Sequence, residues 1–395
     1  VKKKGGLMPL KNRFAELHAE ITAWRRDFHE NPELLYDVHR TAGLVAERLR
    51  EFGCDEVVEG IGRTGVVGVI HGRSRASGKV IGLRADMDAL PIEEMTGAAH
   101  ASKVPGKMHA CGHDGHTAML LGAAKYLAET RHFDGSVVVI FQPAEEGGAG
   151  GKAMVDDGMM DRFGIHEVYG MHNMPGLPAG QFAIRPGALL ASADEFVITL
   201  TGKGGHAAMP HTTIDTTLAA SHVVVALQSI VSRNVDPLGN VVVTVGSFHT
   251  DSVASNVIAH KVVLQGTVRT LDPALRDLAE ERLKAVVGNT AAAYGAEAVV
   301  GYQRGYPVTM NTPENTDFAA DVAQEVAGSV NREVKPLMPA EDFAFMLEAR
   351  PGAYIFIGNG DTPMCHHPEY DFNDEAIPAG CSWFATLAER RLPLA

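Results

Sequence analysis

Ser136-Val137-Val138-Val139-Ile140-Phe141-Gln142-Pro143-Ala144-Glu145-Glu146 is the stretch on which the fold turns. Within Ser136–Phe141, Val137–Phe141 is an unbroken run of β-branched and aromatic residues, and the segment is bounded by Gly135 and Pro143. It is too short for an ordinary helix and reads as a strand buried on both faces. Such a strand needs helices above and below it. Two adjacent carboxylates, Glu145 and Glu146, follow at once. At the end of a buried strand they are costly unless they meet cations. One would then ligate a metal while the other handles a proton; otherwise the segment is a solvated turn.

Upstream, Ala118–Glu129 reads as a helix, and Gly65–Ile70 and Val80–Leu83 as strands. Phe14, Leu17, Ile21, Trp24 and Phe28 recur at three- and four-residue steps, which predicts an amphipathic helix. A second helix is expected over about 39–52. Downstream, Val168–Met171 is a further short strand. Short apolar strands alternating with helices predict an α/β layered domain, and ligands of such domains collect at strand ends.

Near residue 186 the pattern changes. Phe196, Ile198 and Leu200 alternate with polar neighbours over Glu195–Thr201, the mark of a half-buried antiparallel strand. A helix Ile214–Val231 and strands Val241–Phe248 and Lys261–Thr270 follow. Asp272-Pro273 is an N-cap with proline at the first helical position, opening a helix to about 293. Strand–helix–strand–strand–helix–strand is the order of a ferredoxin-like α+β unit. The chain then returns to α/β style with helix 314–327, strand Ala353–Ile357 and helix 375–391. The expectation is a discontinuous α/β catalytic domain over 7–185 and 305–395, built on a central mixed β-sheet, with an inserted domain over 186–304.

The 395 residues exceed what one core ordinarily serves, in keeping with two domains. A formal charge of −13 repels phosphate backbones and argues against nucleic acid as a partner. No apolar run approaches the roughly 18–20 residues that span a bilayer. Val1-Lys2-Lys3-Lys4-Gly5-Gly6 is basic, lacks the apolar stretch of a signal peptide and has no initiator Met, so it reads as a remnant of processing. Cys54, Cys111, Cys365 and Cys381 are expected to be reduced thiols of a cytoplasmic protein.

The densest chemical signal is His109-Ala110-Cys111-Gly112-His113-Asp114-Gly115-His116. Imidazole and thiolate together suit zinc and similar ions. Met171-His172-Asn173, which taken alone reads more readily as a structural histidine, and Cys365-His366-His367-Pro368 are weaker signals. In Arg84-Ala85-Asp86-Met87-Asp88 the two aspartates fit groups that orient a ligating histidine. Gly202-Lys203-Gly204-Gly205-His206 is a glycine-rich turn that would aim His206 at an oxyanion, or a plain hairpin. Arg269 shares a strand face with Lys261 and Gln265, and its fork suits a substrate carboxylate.

Taken in order, RADMDALP, HACGHDGH, QPAEE, MHNMP, GKGGHAAMP, SNVIA, GTVRT, AEDFAFM and CHHPEYDFND resemble the M20 metallopeptidase family. Within it the chain is similar to the branch of hippurate hydrolases, N-acyl-amino-acid amidohydrolases and auxin-conjugate hydrolases. The resemblance runs from about 20 to 390. It implies two divalent ions per subunit (Zn, Mn, Co or Ni) held by Cys111, His113, Glu146, His172 and His366. His366 is preferred to His367 because the family pattern is His, one variable residue, then Pro. Glu145 would be the general base and Asp88 the orienting aspartate, while Asp86 stands where other branches have a ligating His. The resemblance also implies a homodimer through the inserted lid domain. His206 and Asn256 would reach the active site from the neighbouring subunit, with Arg269 a further candidate for the substrate carboxylate. The expected reaction is hydrolysis of the amide bond of a small N-acylated amino acid. Its competitors are peptidase activity of the same family, a thiol hydrolase using Cys111, and a non-catalytic binding protein.

Overall fold

The computed structural model describes residues 12–395; the basic segment Val1–Gly6 lies outside these. Two compact units divide the chain. The first comprises the described residues up to Leu189, Met310–Lys335 and Asp342–Ala395; the second comprises Leu190–Thr309 and Pro336–Glu341. The second unit departs from the expected span of 186–304. It also takes in a short segment from much later in the chain, tied by the parallel bridge between Leu190 and Leu337 and by Ala191 N–H bonds to the Leu337 and Pro339 carbonyls. Pairing at that sequence separation leaves no local signal.

The first unit is built on an eight-stranded mixed sheet. Its spatial order is Glu56–Ile61, Gly65–His71, Ser136–Gln142, Val80–Asp86, Glu167–Pro175, Gly352–Gly360, Phe182–Ala183 and Val330–Asn331. The four strands Ser136–Gln142, Val80–Asp86, Glu167–Pro175 and Gly352–Gly360 are adjacent and mutually parallel. Every residue of Ser136–Gln142 is buried, as expected of a strand covered on both faces. Because the four run the same way, their C-terminal ends share one edge of the sheet.

The helix His113–Thr130 packs against both Asn12–Glu30 and Ile377–Arg391, and most of its residues are buried. It begins five residues before the expected Ala118. Gly112, at φ +81°, lets the chain turn straight from the Cys111 loop into the helix. His113, Asp114 and His116 therefore sit on a rigid first turn and not on a loop. The strand expected to stop at Met171 continues through Pro175, so His172 is inside it.

The second unit carries a four-stranded antiparallel sheet in the order Val241–Thr250, Lys261–Thr270, Ser192–Thr201, Glu297–Arg304. The chain order of those strands, with helices Thr216–Ser229 and Pro273–Ala293 between them, is the ferredoxin-like arrangement. Phe196, Ile198 and Leu200 all point into a core shared with Leu227, Leu264 and Leu283. Asp272 caps the second helix, accepting from Ala274 N–H at 2.7 Å and Leu275 N–H at 3.2 Å. Asp272→Ala is expected to cost about 1 kcal/mol of stability. Chemical denaturation checks this, and an unchanged midpoint at unchanged slope would show that the cap contributes nothing. No helix of the described residues is long and apolar enough to cross a membrane.

Candidate metal centre

The shared edge of the four parallel strands collects the chemistry of the first unit. Asp86 ends one strand and Asp88 follows it; Glu145 and Glu146 lie in the turn after the next; His172 sits near the end of the third; His366 lies in the loop after the fourth. Cys111 and His113 enter from the start of the buried helix. Donor atoms of Cys111, His113 and His172 all lie within 4.8 Å of one another, as do those of Cys111, Glu146 and His366. Cys111 belongs to both triads. His113, Glu145 and Glu146 form a third close group, and Asp86, His113 and His116 a fourth.

Hydrogen bonds decide which nitrogen faces the cavity. His113 Nδ1–H donates to the Asp88 carbonyl at 2.8 Å. That leaves Nε2 free to face the cavity, where it is buried with no hydrogen-bond partner among the described residues. An orphaned, buried imidazole nitrogen amid carboxylates is what a metal ion would satisfy. His172 is set the same way: Nδ1–H donates to the Asn173 carbonyl at 2.7 Å, and Nε2 lies 3.4 Å from Cys111 Sγ. His366 Nε2 lies 3.2 Å from Glu146 Oε1, and its ring is more than half exposed. His366 (φ +70°) and Ala144 (φ +53°) both hold left-handed backbone without being glycine. Backbone strain of this kind concentrates at functional sites.

His116 shows the opposite pattern. Its Nδ1–H donates to Asp86 Oδ1 at 2.7 Å and its Nε2 accepts the Asn173 N–H at 2.9 Å. Both nitrogens are used, so His116 braces the site and has no lone pair left for an ion. Asp86 is committed as well, since its other oxygen accepts from Arg84 Nη1 at 2.6 Å. Arg84 in turn reaches Gln142 at 2.9 Å and Asp342 at 3.1 Å. Burial opposes ionisation of Asp86, but His113, Arg84 and His116 outweigh it and hold its carboxyl well below the usual range.

Asp88 shapes the glutamate turn. Its two oxygens accept the backbone N–H of Glu145 at 3.0 Å and of Glu146 at 3.1 Å. Burial raises its pKa. For His113, burial disfavours the charged form, yet the charges of Asp86, Asp88 and Glu146 push it up to about 10. An imidazole surrounded by so much negative charge marks a cavity suited to cations.

Asn173, Tyr370, Arg84, Asp342 and Cys365 were not assigned roles from sequence. Asn173 Nδ2–H donates to the Cys111 carbonyl at 2.6 Å, and its Oδ1 accepts from Tyr370 OH at 2.9 Å. A Cβ on Gly112 would fall 2.4 Å from Tyr370 OH and 2.5 Å from Asn173 Nδ2, so glycine is required there on steric as well as dihedral grounds. The MHN and AEDF motifs contain two of these residues, which is the signal that could have found them.

His206, Asn256 and Arg269 lie in the second unit. His206 pairs with Val257 across a two-stranded ladder, and Ala207 N–H donates to the Asn256 carbonyl at 3.0 Å, so His206 and Asn256 are neighbours. His206 Nδ1 accepts the Ala208 N–H at 3.0 Å, which puts the proton of the neutral ring on Nε2. Arg269 is half-buried, and its Nε–H donates to Thr267 Oγ1 at 3.2 Å.

The profile described as Peptidase family M20/M25/M40 matches residues 82–390. A hippurate hydrolase of Campylobacter jejuni is 45% identical over 379 residues, covering 95% of this chain and 98% of that protein. An N-acetyl-L-cysteine deacetylase of Bacillus subtilis is 40% identical over 377 residues, covering 95% of this chain and 89% of that protein. The crystal structure of a dinuclear metal-binding M20 peptidase from Bacillus subtilis superposes with a TM-score of 0.84 at 34% identity, covering 96% of this chain and 99% of that one. With most of the chain matched in sequence, and again in structure, the protein belongs to peptidase family M20/M25/M40.

Proposed function

We propose that the protein is a metal-dependent amidohydrolase that cleaves the amide bond of N-acyl amino acids to a carboxylic acid and a free amino acid. What carries this is Glu145, buried beside His113 and Glu146 where two donor triads meet at Cys111. Relatives named for hydrolysis of hippurate and deacetylation of N-acetylcysteine support the substrate class. Cys111, His113, Glu146, His172 and His366 would hold two divalent ions. The thiolate favours zinc by softness, with Mn, Co and Ni the other candidates. When bound, the ions polarise the amide carbonyl and lower the pKa of water in the site toward about 7.

The chain's own residues do the rest. Glu145 takes the proton from the attacking water and returns it to the leaving amine. Asp88 fixes the backbone from which Glu145 projects and accepts the contact of the His113 ring edge at 3.4 Å. Asp86 and His116 hold the floor of the site rigid through their 2.7 Å bond. The proposal extends to the second unit as the lid and dimerisation domain. There His206 Nε2–H would stabilise the oxyanion, with Asn256 and Arg269 as substrate contacts.

Assay on N-benzoylglycine and a panel of N-acetyl amino acids tests the function. Activity is expected to vanish with chelator and return with added Zn, Mn, Co or Ni. Activity that survives chelator but dies on thiol alkylation would replace this with a thiol hydrolase. Inertness toward every acyl amino acid in the metal-loaded state would sink the substrate class.

A further inference from the structure

Cys365 has no part in the proposed ligand set, yet it stands beside Cys111. The His366 N–H donates to the Ala110 carbonyl at 2.7 Å. Cys365 and Cys111 are thus each one residue removed from the two ends of a single backbone hydrogen bond. Asn173 ties the same two segments again. Its Nδ2–H donates to the Cys111 carbonyl at 2.6 Å, and its Oδ1 lies 3.8 Å from Cys365 Sγ. Each thiol is also the strongest influence on the other's ionisation, as expected of side-chain neighbours. The remaining cysteines have other surroundings: Cys381 Sγ donates to the Met119 carbonyl at 3.2 Å, and Cys54 stands near Asp55 and Arg131.

A disulfide needs its sulfurs about 2.05 Å apart and its Cβ atoms at about 3.5–4.5 Å. Neighbouring thiols on backbones pinned by short hydrogen bonds are placed to close that distance by side-chain rotation. Cys365 is half-buried, which leaves a path for a small oxidant.

We propose that Cys111 and Cys365 form an oxidation site, at which a hydroperoxide converts the pair to a disulfide and so withdraws Cys111 Sγ from both donor triads. In the first step one sulfur gives an electron pair to a peroxide oxygen. The O–O bond breaks, water leaves and a sulfenic acid forms. The second sulfur attacks the first, the S–OH bond breaks, and the released proton and hydroxyl depart as a second water. Two thiols lose two electrons, and hydrogen peroxide gains them. Because Cys111 is common to the groups with His113 and His172 and with Glu146 and His366, one covalent event removes a donor from each. The effect on activity rests on the proposed function; the disulfide does not.

The test treats the protein, as purified and after chelation, with hydrogen peroxide. It is then alkylated, digested without reductant and mapped by mass spectrometry, with bound metal and hydrolysis rate followed before and after dithiothreitol. The expected result is a peptide joining Cys111 to Cys365 and an intact mass lower by two hydrogens. Rate is expected to fall at least about tenfold with loss of metal, and dithiothreitol to restore both. Cys365→Ser should keep its starting rate and show no cross-link. After peroxide it should regain less than about half of its rate, because Cys111 then proceeds to acids that dithiothreitol does not reduce. Oxygen addition without a cross-link overturns the proposal, as does equally reversible inactivation of Cys365→Ser. A cross-link formed with metal and rate intact overturns the ligand role of Cys111 and leaves the disulfide standing, so the two failures are distinct.

Discussion

Glu145→Gln is expected to lower kcat by about 10²–10⁴-fold while bound metal stays at the parent level, the range that a positioned general base contributes. The substitution keeps the shape of the side chain and removes only its ability to take a proton. The substitution leaves in place the two hydrogen bonds by which Asp88 holds the turn, since these run from the Glu145 and Glu146 backbone N–H groups. Steady-state kinetics and metal analysis on the same sample separate the two effects. A variant with near-normal kcat removes Glu145 from the role of base. A variant that loses metal instead makes Glu145 a ligand.

The second large effect is expected from His113→Ala. His113 belongs to the triad with Cys111 and His172 and also to the group with Glu145 and Glu146. Its Nε2 is buried without a hydrogen-bond partner among the described residues and is already aimed by the 2.8 Å bond from Nδ1 to the Asp88 carbonyl. Removing an outer partner of a metal ligand costs about 10–100-fold in metal affinity, and loss of a ligand itself should exceed that. Equilibrium dialysis with zinc or manganese measures the affinity, and the rate at saturating ion measures what the remaining donors achieve. His116→Ala is the contrast: His116 braces Asp86 and Asn173 with both nitrogens, so its loss should stay within the outer-partner range. Equal affinity losses at 113 and 116 would contradict the assignment of one as ligand and the other as support.

Much of this site was legible beforehand because its chemistry is written in residue types. A cysteine with three histidines in eight positions, and paired glutamates after an apolar strand, are unusual enough to announce a metal. Which histidine binds was legible only through the family resemblance, which points to His113, and not from residue type or spacing. His109, His113 and His116 look alike in sequence, and they differ only in what the fold brings to their ring nitrogens. His109 is buried with neither nitrogen hydrogen-bonded among the described residues, and burial pushes it down to about 3. The start of the helix was missed for a related reason: polar, glycine-containing residues read as loop, and only burial against the neighbouring helices overrides that preference.

The sequence by itself determined the strand and helix types, the ferredoxin-like order of the second unit, the Asp272 cap and the kinds of donor atom available. These follow from side-chain periodicity and from contacts within a few residues, which are local. Tertiary structure alone decided that four parallel strands open on one edge, that Asp88 clamps the glutamate turn, and that residues 336–341 join the second unit. It also brought Cys365 against Cys111. Each of these is a pairing between residues distant along the chain, set by sheet order and packing, and neither periodicity nor spacing carries that information.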